Sequence, residues 1–365
     1  MALWLLATLD GIGSARELDR RCETDIPYLW TLGTVRVNHH TLGDFRVLHG
    51  ERLERLLVDT VAALVDRDLV PLETIAQDGM RVRAAAGSSS FRRQPTLEKL
   101  QQAAQEHVDR LKREADSEAD RLAGDARRRA AAERAARERQ ERIDEALRQH
   151  EQLSRQREQR KKGDGETTRV STTDPEARKM KMANGGFDPA FPVLCCPEDR
   201  VQFATDAQTR VIVGVDVTNA GTDGGELPPM LDRIREHYGK TPTQALADSA
   251  YATKDSVTQI EKEGTQLVST VPRADVLKDN GKDPHARQRD DSDQYAAFRA
   301  RMADPAYQNL YKSRPSIADF PNADCRNRNL RQFRVLGLVK AKAVTLWHAL
   351  TFNFLRFIHL GVLPT

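Results

Sequence analysis

Two aspartates stand where carboxylates can work on phosphates. Asp78 lies within Ile75-Ala-Gln-Asp-Gly-Met-Arg-Val-Arg83, a run with the branched residues and partial alternation of a strand. Asp248 closes a second short strand pattern, Gln244–Asp248. A carboxylate held at the end of a rigid strand, in reach of a second one, is how proteins bind divalent metal for phosphoryl chemistry. Two ions about 3.5–4 Å apart then activate the attacking oxygen and stabilise the leaving one. Each Asp also has a plainer reading, because an Asp before a Gly commonly makes a turn.

Such acids need a sheet to hold them, and the sequence supplies one in pieces. Strands are predicted at Arg200–Ala204, Thr209–Val217 and Gln266–Val271, with helices at Glu226–His237, at Tyr295–Met302 and from Tyr307 onward, ending in an amphipathic Lys340–Leu360. Ahead of Asp78, residues 1–70 read as short helices. Ser14-x-x-Glu17 is a capping box, Thr41-x-x-Asp44 a weaker one, and Pro71 ends a helix over Glu51–Asp66. The pair of helices around Asp10-Gly11-Ile12-Gly13 is either a helix-turn-helix or a plain hairpin.

From Pro95 to Lys162 the chain is an Ala, Arg, Glu and Gln tract. Its apolar positions Leu97, Leu100, Ala104, Val108, Leu111, Ala115, Ala119, Leu122 and Ala126 repeat with steps of 3, 4 and 4, a period that keeps one stripe in line on a nearly straight helix. Interleaved charges then make Arg127–Arg160 solvated helix, and Gly163-Asp-Gly165 ends it. A helical hairpin or coiled-coil arm is the expectation. The fold class that follows is α/β, a mixed sheet flanked by helices and split by a helical insertion. The boundaries read 1–70 helical, 71–94 first strand, 95–165 insertion and 166–365 remainder.

Over 365 residues, 57 Lys and Arg face 54 Asp and Glu, so bulk charge announces no nucleic-acid binder. The distribution does. From Cys325 to Thr365 there is no Asp or Glu, while Arg326, Arg328, Arg331, Arg334, Lys340, Lys342 and Arg356 all fall there. Four cysteines, two of them adjacent at Cys195 and Cys196, make no disulfide framework or zinc knuckle, which fits a cytosolic compartment. The opening Met1–Leu9 lacks the flanks of a signal peptide, and the C-terminal apolar stretch is broken by His348, Asn353, Arg356 and His359, so no membrane partner is expected.

Five segments in order, Gln77–Ala84, Thr173-Asp-Pro-Glu-Ala-Arg178, Val211–Asn219, Leu246-Ala-Asp-Ser-Ala-Tyr251 and Tyr311-x-x-Arg314, resemble bacterial insertion-sequence transposases with a DDE catalytic domain. The resemblance is to the branch with a long helical insertion after the first catalytic strand. It implies a ribonuclease-H-like fold and metal-dependent cleavage and joining of DNA strands at transposon ends. It also implies two magnesium or manganese ions, double-stranded DNA as partner, homo-oligomers on DNA and a cytoplasmic, nucleoid-associated location. Residue by residue it assigns Asp78 and Asp248 as catalytic, metal-binding acids, with Asp174 in Thr-Asp-Pro as the alternative to Asp78.

The third acid departs from the family pattern. In the family's C-terminal signature a Tyr, an Arg, a Glu and a basic residue share one helical segment. Tyr311, Arg314 and Arg326 match, but the Glu position holds Asp319. Asp keeps the charge and withdraws it by about 1.5 Å. Pro192–Arg200 interrupts the expected strand entry as either a loop or a coding lesion, and family members begin with several tens more residues. A catalytically inactive, truncated remnant that only binds DNA is therefore the alternative function. Tyr311, Arg314, Arg326, Arg328, Arg331 and Arg334 are the expected DNA contacts, by phosphate rather than base. Trp347, Phe352, Phe354 and Phe357 have core spacing, and His39, His40 and His348 read as structural.

Overall fold

The computed structural model describes residues 1–33, 35–116, 123–159, 167–179, 197–220 and 222–363. The chain divides into two compact units, Met1–Val82 with Arg200–Arg334 and Leu338–Thr365, and Arg83–Asp199 with Val335–Gly337. The helices of residues 1–70 thus share a unit with the sheet, and the second unit opens at Arg83 rather than at 95.

Five helices come first: α1 (Ala2–Leu9), α2 (Ala15–Thr24), α3 (Ile26–Leu32), α4 (His39–Leu48) and α5 (Gly50–Val65). Ser14 caps α2 by accepting from the Glu17 amide, as its spacing predicts. The second capping box is corrected: α4 starts at His39, and Asn38 is its cap, accepting from the Thr41 amide at 2.9 Å.

The strands of the first unit are β1 (Thr74–Arg83), followed after the insertion by β5 (Pro197–Asp206), β6 (Ile212–Thr218), β7 (Gln244–Leu246) and β8 (Gln266–Val268). The insertion holds the short β2 (Phe91–Arg92), β3 (Val170–Ser171) and β4 (Arg178–Lys179). In the main sheet β5, β1, β7 and β8 lie side by side in that order, and β6 pairs with β5. β5 and β6 run antiparallel, whereas β1 with β7 and β7 with β8 run parallel. This is the mixed sheet that the order of elements predicts, and it is consistent with the ribonuclease-H-like fold that the resemblance implies.

Two parallel neighbours need a crossover. Between β7 and β8 it is a helix that the sequence reading stepped over, Lys254–Lys262, because only Val257 and Ile260 mark its buried face. Thr253 caps it, accepting from the Ser256 amide at 3.2 Å. The C-terminal helix, Leu338–His359, is amphipathic only in part: from Ala343 through Asn353 every side chain is buried. It is a central helix, packed by α1, α4 and α5 as well as by β6. Asn353 fixes it to the sheet edge, accepting from the Ile212 amide and donating to the Ile212 carbonyl, each at 2.8 Å.

In the second unit α6 (Gln94–Asp116) and α7 (Ala123–Gln159) form an antiparallel hairpin, joined by Gln101 donating to Asp144 at 2.7 Å and by Gln140 donating to Gln105. The eleven-residue stripe is its seam: Leu97, Ala104 and Val108 are buried, as are Ala136, Ile143 and Ala146 opposite. The later stripe positions, Ala115 to Ala126, have side chains outside the described residues. β2 and β3 pair at the base, where Leu97, Ala146 and Val170 cluster.

The main core cluster, running from Val61 to Phe357, contains no residue of the hairpin. Replacing residues 94–159 by a short flexible linker is therefore expected to leave the first unit folded. Circular dichroism and limited proteolysis check this; a molten remainder would make the hairpin part of the core.

Candidate active site

The parallel register decides where the first two acids stand. Ala76 pairs with Leu246, the last residue of β7; Asp78 lies two residues further along β1, Asp248 two residues past the end of β7, and the Asp248 charge acts on Asp78. Neighbouring strands lie about 4.8 Å apart. Asp78 is inside β1 and half-buried; Asp248 follows the end of β7 and accepts from the Ala250 amide at 2.7 Å.

Asp319 lies in the helical C-terminal part. After the helix Pro305–Lys312 the chain makes a π-helical turn, Pro315–Asp319, before the helix Phe320–Asn327. Such turns are rare and frequent at functional sites. Asp319 is the last residue of the turn and is exposed, yet its charge is felt at Asp78.

The Asp78 carboxyl is pushed up to about 6, first by burial, then by the charges of Asp319 and Asp248, against the opposing Arg314. Arg314 Nη1 stands 3.6 Å from one Asp78 oxygen, and Asn322 Nδ2 donates to the other at 3.0 Å. Asn322 is three residues beyond Asp319, hence on the same helix face. It is 5% exposed and its own Oδ1 has no partner. Sequence reasoning missed Asn322; its i, i+3 spacing from Asp319 was the available signal.

An acid whose folded value lies above its usual 3.8 favours the protonated fold, so its contribution to stability is full below about pH 4 and is lost as pH rises through about 6. Asp78→Asn is expected to raise the midpoint of thermal unfolding at pH 7.5 in a chelator, by the equivalent of roughly 2–3 kcal/mol at most, and to change it little at pH 4. Differential scanning at the two pH values checks this. Equal effects at both would mean that the carboxyl ionises unhindered in the fold.

Hard carboxylate oxygens crowded by like charge are the donor chemistry of magnesium or manganese. Among the described residues no three His, Cys, Asp or Glu side chains form a closed metal-holding group. Asp78, Asp248 and Asp319 are donors of the type that suits a divalent ion, but they do not form such a group.

Behind Asp78 the strand is backed by a polar network. Gln202 accepts from the Tyr251 hydroxyl at 2.5 Å and from Gln77 at 3.3 Å, and donates to Asp223 at 2.9 Å. Arg200 pairs with the other Asp223 oxygen. A Cβ on Gly79 would fall 2.8 Å from Gln202 Nε2 and 2.9 Å from Asp223 Oδ1. The Asp-Gly pair therefore marks a close approach within a strand and not a turn. Burial, with Asp223, Asp78 and Asp248 around it, raises the Tyr251 hydroxyl far above its usual value and keeps it a neutral donor.

The expected DNA contacts divide into two groups. Tyr311 packs against the core, and Arg314 lies over its ring at 5.9 Å while facing Asp78. Arg328 is engaged, holding Asp324 at 2.8 Å and donating to the Leu9 carbonyl at 2.8 Å. Asp324 stands one residue ahead of the acid-free stretch, which is why the sequence showed no partner. Arg326, Arg331 and Arg334 are exposed.

Asp174 belongs to the other compact unit, where its carboxylate accepts from the Glu176 amide at 3.3 Å and the Gly337 amide at 3.1 Å and so closes a turn. Cys195 and Cys196 lie outside the described residues, as does most of the 192–200 segment. His348 is buried and held down to about 3 by burial and by Arg46 and Arg328, a structural histidine. Trp347, Phe352 and Phe357 are buried in the core. No described helix is long and apolar enough to cross a membrane.

Comparison with curated proteins and with solved structures finds no match. A family comparison does: the model of the transposase DDE domain matches residues 199–317, from the start of β5 to the π-helical turn. The matched segment includes Asp248, Tyr311 and Arg314, while Asp78 and Asp319 flank it on either side. Residues 199–317 are thus similar to a transposase DDE domain, which is consistent with an insertion-sequence DDE transposase.

Proposed function

We propose that this chain is a DNA transposase in which Asp78, Asp248 and Asp319 form one centre for strand cleavage and strand transfer at insertion-sequence ends. The observation that supports the reading is at Asp78, half-buried in the strand that pairs with β7 and raised in part by the charges of both Asp319 and Asp248. Two magnesium or manganese ions, when bound, supply an activated water or 3′-hydroxyl and stabilise the departing oxygen. The chain's own part is positional. β1 holds Asp78 and the turn after β7 holds Asp248, Asn322 orients one Asp78 oxygen, and Arg314 balances the other until a cation does.

Double-stranded DNA is the partner, held as an oligomer in the bacterial cytoplasm at the nucleoid. Of the basic segment, Arg326, Arg331 and Arg334 are the residues placed to meet phosphate. The second reading, a remnant that binds DNA without cutting it, is favoured by the lack of a closed three-carboxylate group among the described residues. The test is incubation of the purified chain with manganese and a duplex carrying the flanking genomic ends. Nicks with 3′-hydroxyl ends at the element boundary support the transposase reading. Retention of that duplex with no cleavage, by this chain and by its Asp319→Glu variant, supports the remnant.

A further inference from the structure

Gln202 sits in the middle of β5, fully buried, and its side-chain amide joins three segments of the first unit. The carbonyl oxygen accepts from Gln77 Nε2 at 3.3 Å and from the Tyr251 hydroxyl at 2.5 Å, and Nε2 donates to Asp223 at 2.9 Å. Two of these partners lead to the acids. Gln77 directly precedes Asp78 on β1 and is tied a second time, donating to the Glu226 carbonyl at 3.2 Å. Tyr251 closes the turn after β7, where its amide donates to the Asp248 carbonyl at 3.2 Å and the Ala250 amide to the Asp248 carboxylate at 2.7 Å. One oxygen of Gln202 therefore bridges the strand of Asp78 and the turn of Asp248.

Gly79 lets the bridge lie so close. A Cβ there would meet the Tyr251 hydroxyl at 3.2 Å as well as Gln202 and Asp223, and the Gly79 amide in turn hydrogen-bonds the Asp78 carboxyl. The direction of the bonds is fixed from outside, because Arg200 pairs with one Asp223 oxygen and leaves the other to accept from Gln202. Gln202 must then donate on one side and accept on the other, which suits an amide. A carboxylate in its place would face that of Asp223, and an alkyl chain would leave the buried Tyr251 hydroxyl without its acceptor, which is costly. Among the described residues the Gln202 side chain bonds to neither Asp78 nor Asp248, so it acts on them through Gln77 and Tyr251.

We propose that Gln202 is a positioning residue of the carboxylate site: by accepting from Gln77 and Tyr251 at one oxygen, it holds the Asp78 strand and the Asp248 turn in the relation that strand cleavage needs. This rests on the reading of the chain as a DNA-cleaving transposase and adds to it a residue that acts only through its neighbours. Such support matters because a reacting group displaced by about 1 Å loses up to roughly 100-fold in rate.

The experiment uses the full chain, manganese and a duplex carrying the element end with its flanking DNA. Single-turnover cleavage, duplex affinity by fluorescence anisotropy and the thermal midpoint are measured side by side. Gln202→Glu keeps the size and the accepting oxygen but turns the donor toward Asp223 into a second carboxylate. It should slow cleavage by about 10–100-fold and leave affinity within a few-fold of the parent. Adding Asp223→Asn to Gln202→Glu exchanges donor and acceptor across that contact, leaves an oxygen for Arg200, and should recover most of the rate. Tyr251→Phe removes one donor and little volume; it should slow cleavage in the same sense, and it decides alone where Gln202→Glu does not fold. Rates unchanged in both single variants, or a Gln202→Glu loss that Asp223→Asn does not recover, overturn the positioning role and leave the transposase reading intact. Losses of rate and affinity in equal measure, with a lowered midpoint, mean that Gln202 only supports the fold, which overturns the role as well. No cleavage by the parent or by its Asp319→Glu variant overturns the transposase reading and this proposal together.

Discussion

Asp78→Asn is expected to lower metal-dependent strand cleavage by more than about 100-fold, the upper range for losing an outer-shell partner of a metal site. The exchange preserves shape and leaves Asn322 in place, but removes a charge that interacts with those of Asp248 and Asp319. DNA retention should be unchanged or stronger, because a negative group is lost near the substrate. The expected gain in stability at neutral pH belongs to the same observation: a carboxyl pushed up to about 6 is kept at a cost to the fold. Single-turnover cleavage with manganese, alongside a binding titration, separates the two effects. Activity within a few-fold of the parent would remove Asp78 from the chemistry.

The second large effect should run the other way. Asp319→Glu is expected to raise cleavage by about 10–100-fold, since a catalytic group about 1 Å out of place costs up to roughly 10²-fold. Asp319 is exposed at the end of the π-helical turn, so an added methylene has room to extend. It introduces the glutamate that the resemblance to the family implies at this place. No gain, with DNA binding retained, would mean that the remaining site is not assembled for catalysis.

Much of this arrangement was legible in the chain. Asp78 could be placed on a strand because Ile75, Met80 and Val82 alternate around it, and Asp248 because Ala245 to Ala247 make a short apolar run. What could not be read were the partners that folding brings from afar. Asn322 at Asp78 and Gln202 at Gly79 are polar residues whose meaning is a contact over more than a hundred positions. Arg328 looked free because its acid lies four residues back on its own helix, and the Leu9 carbonyl that it also reaches opens from the other end of the chain.

The central claim is that Asp78 and Asp248 act as one centre. A double-mutant cycle tests it most directly, with single-turnover cleavage measured in the Asp319→Glu chain for Asp78→Asn, Asp248→Asn and both together in manganese. Residues that act as a unit are strongly non-additive. The double variant should therefore be no slower than the slower single one. Falls that multiply, or a single variant that cleaves at the rate of its parent, would contradict a shared centre.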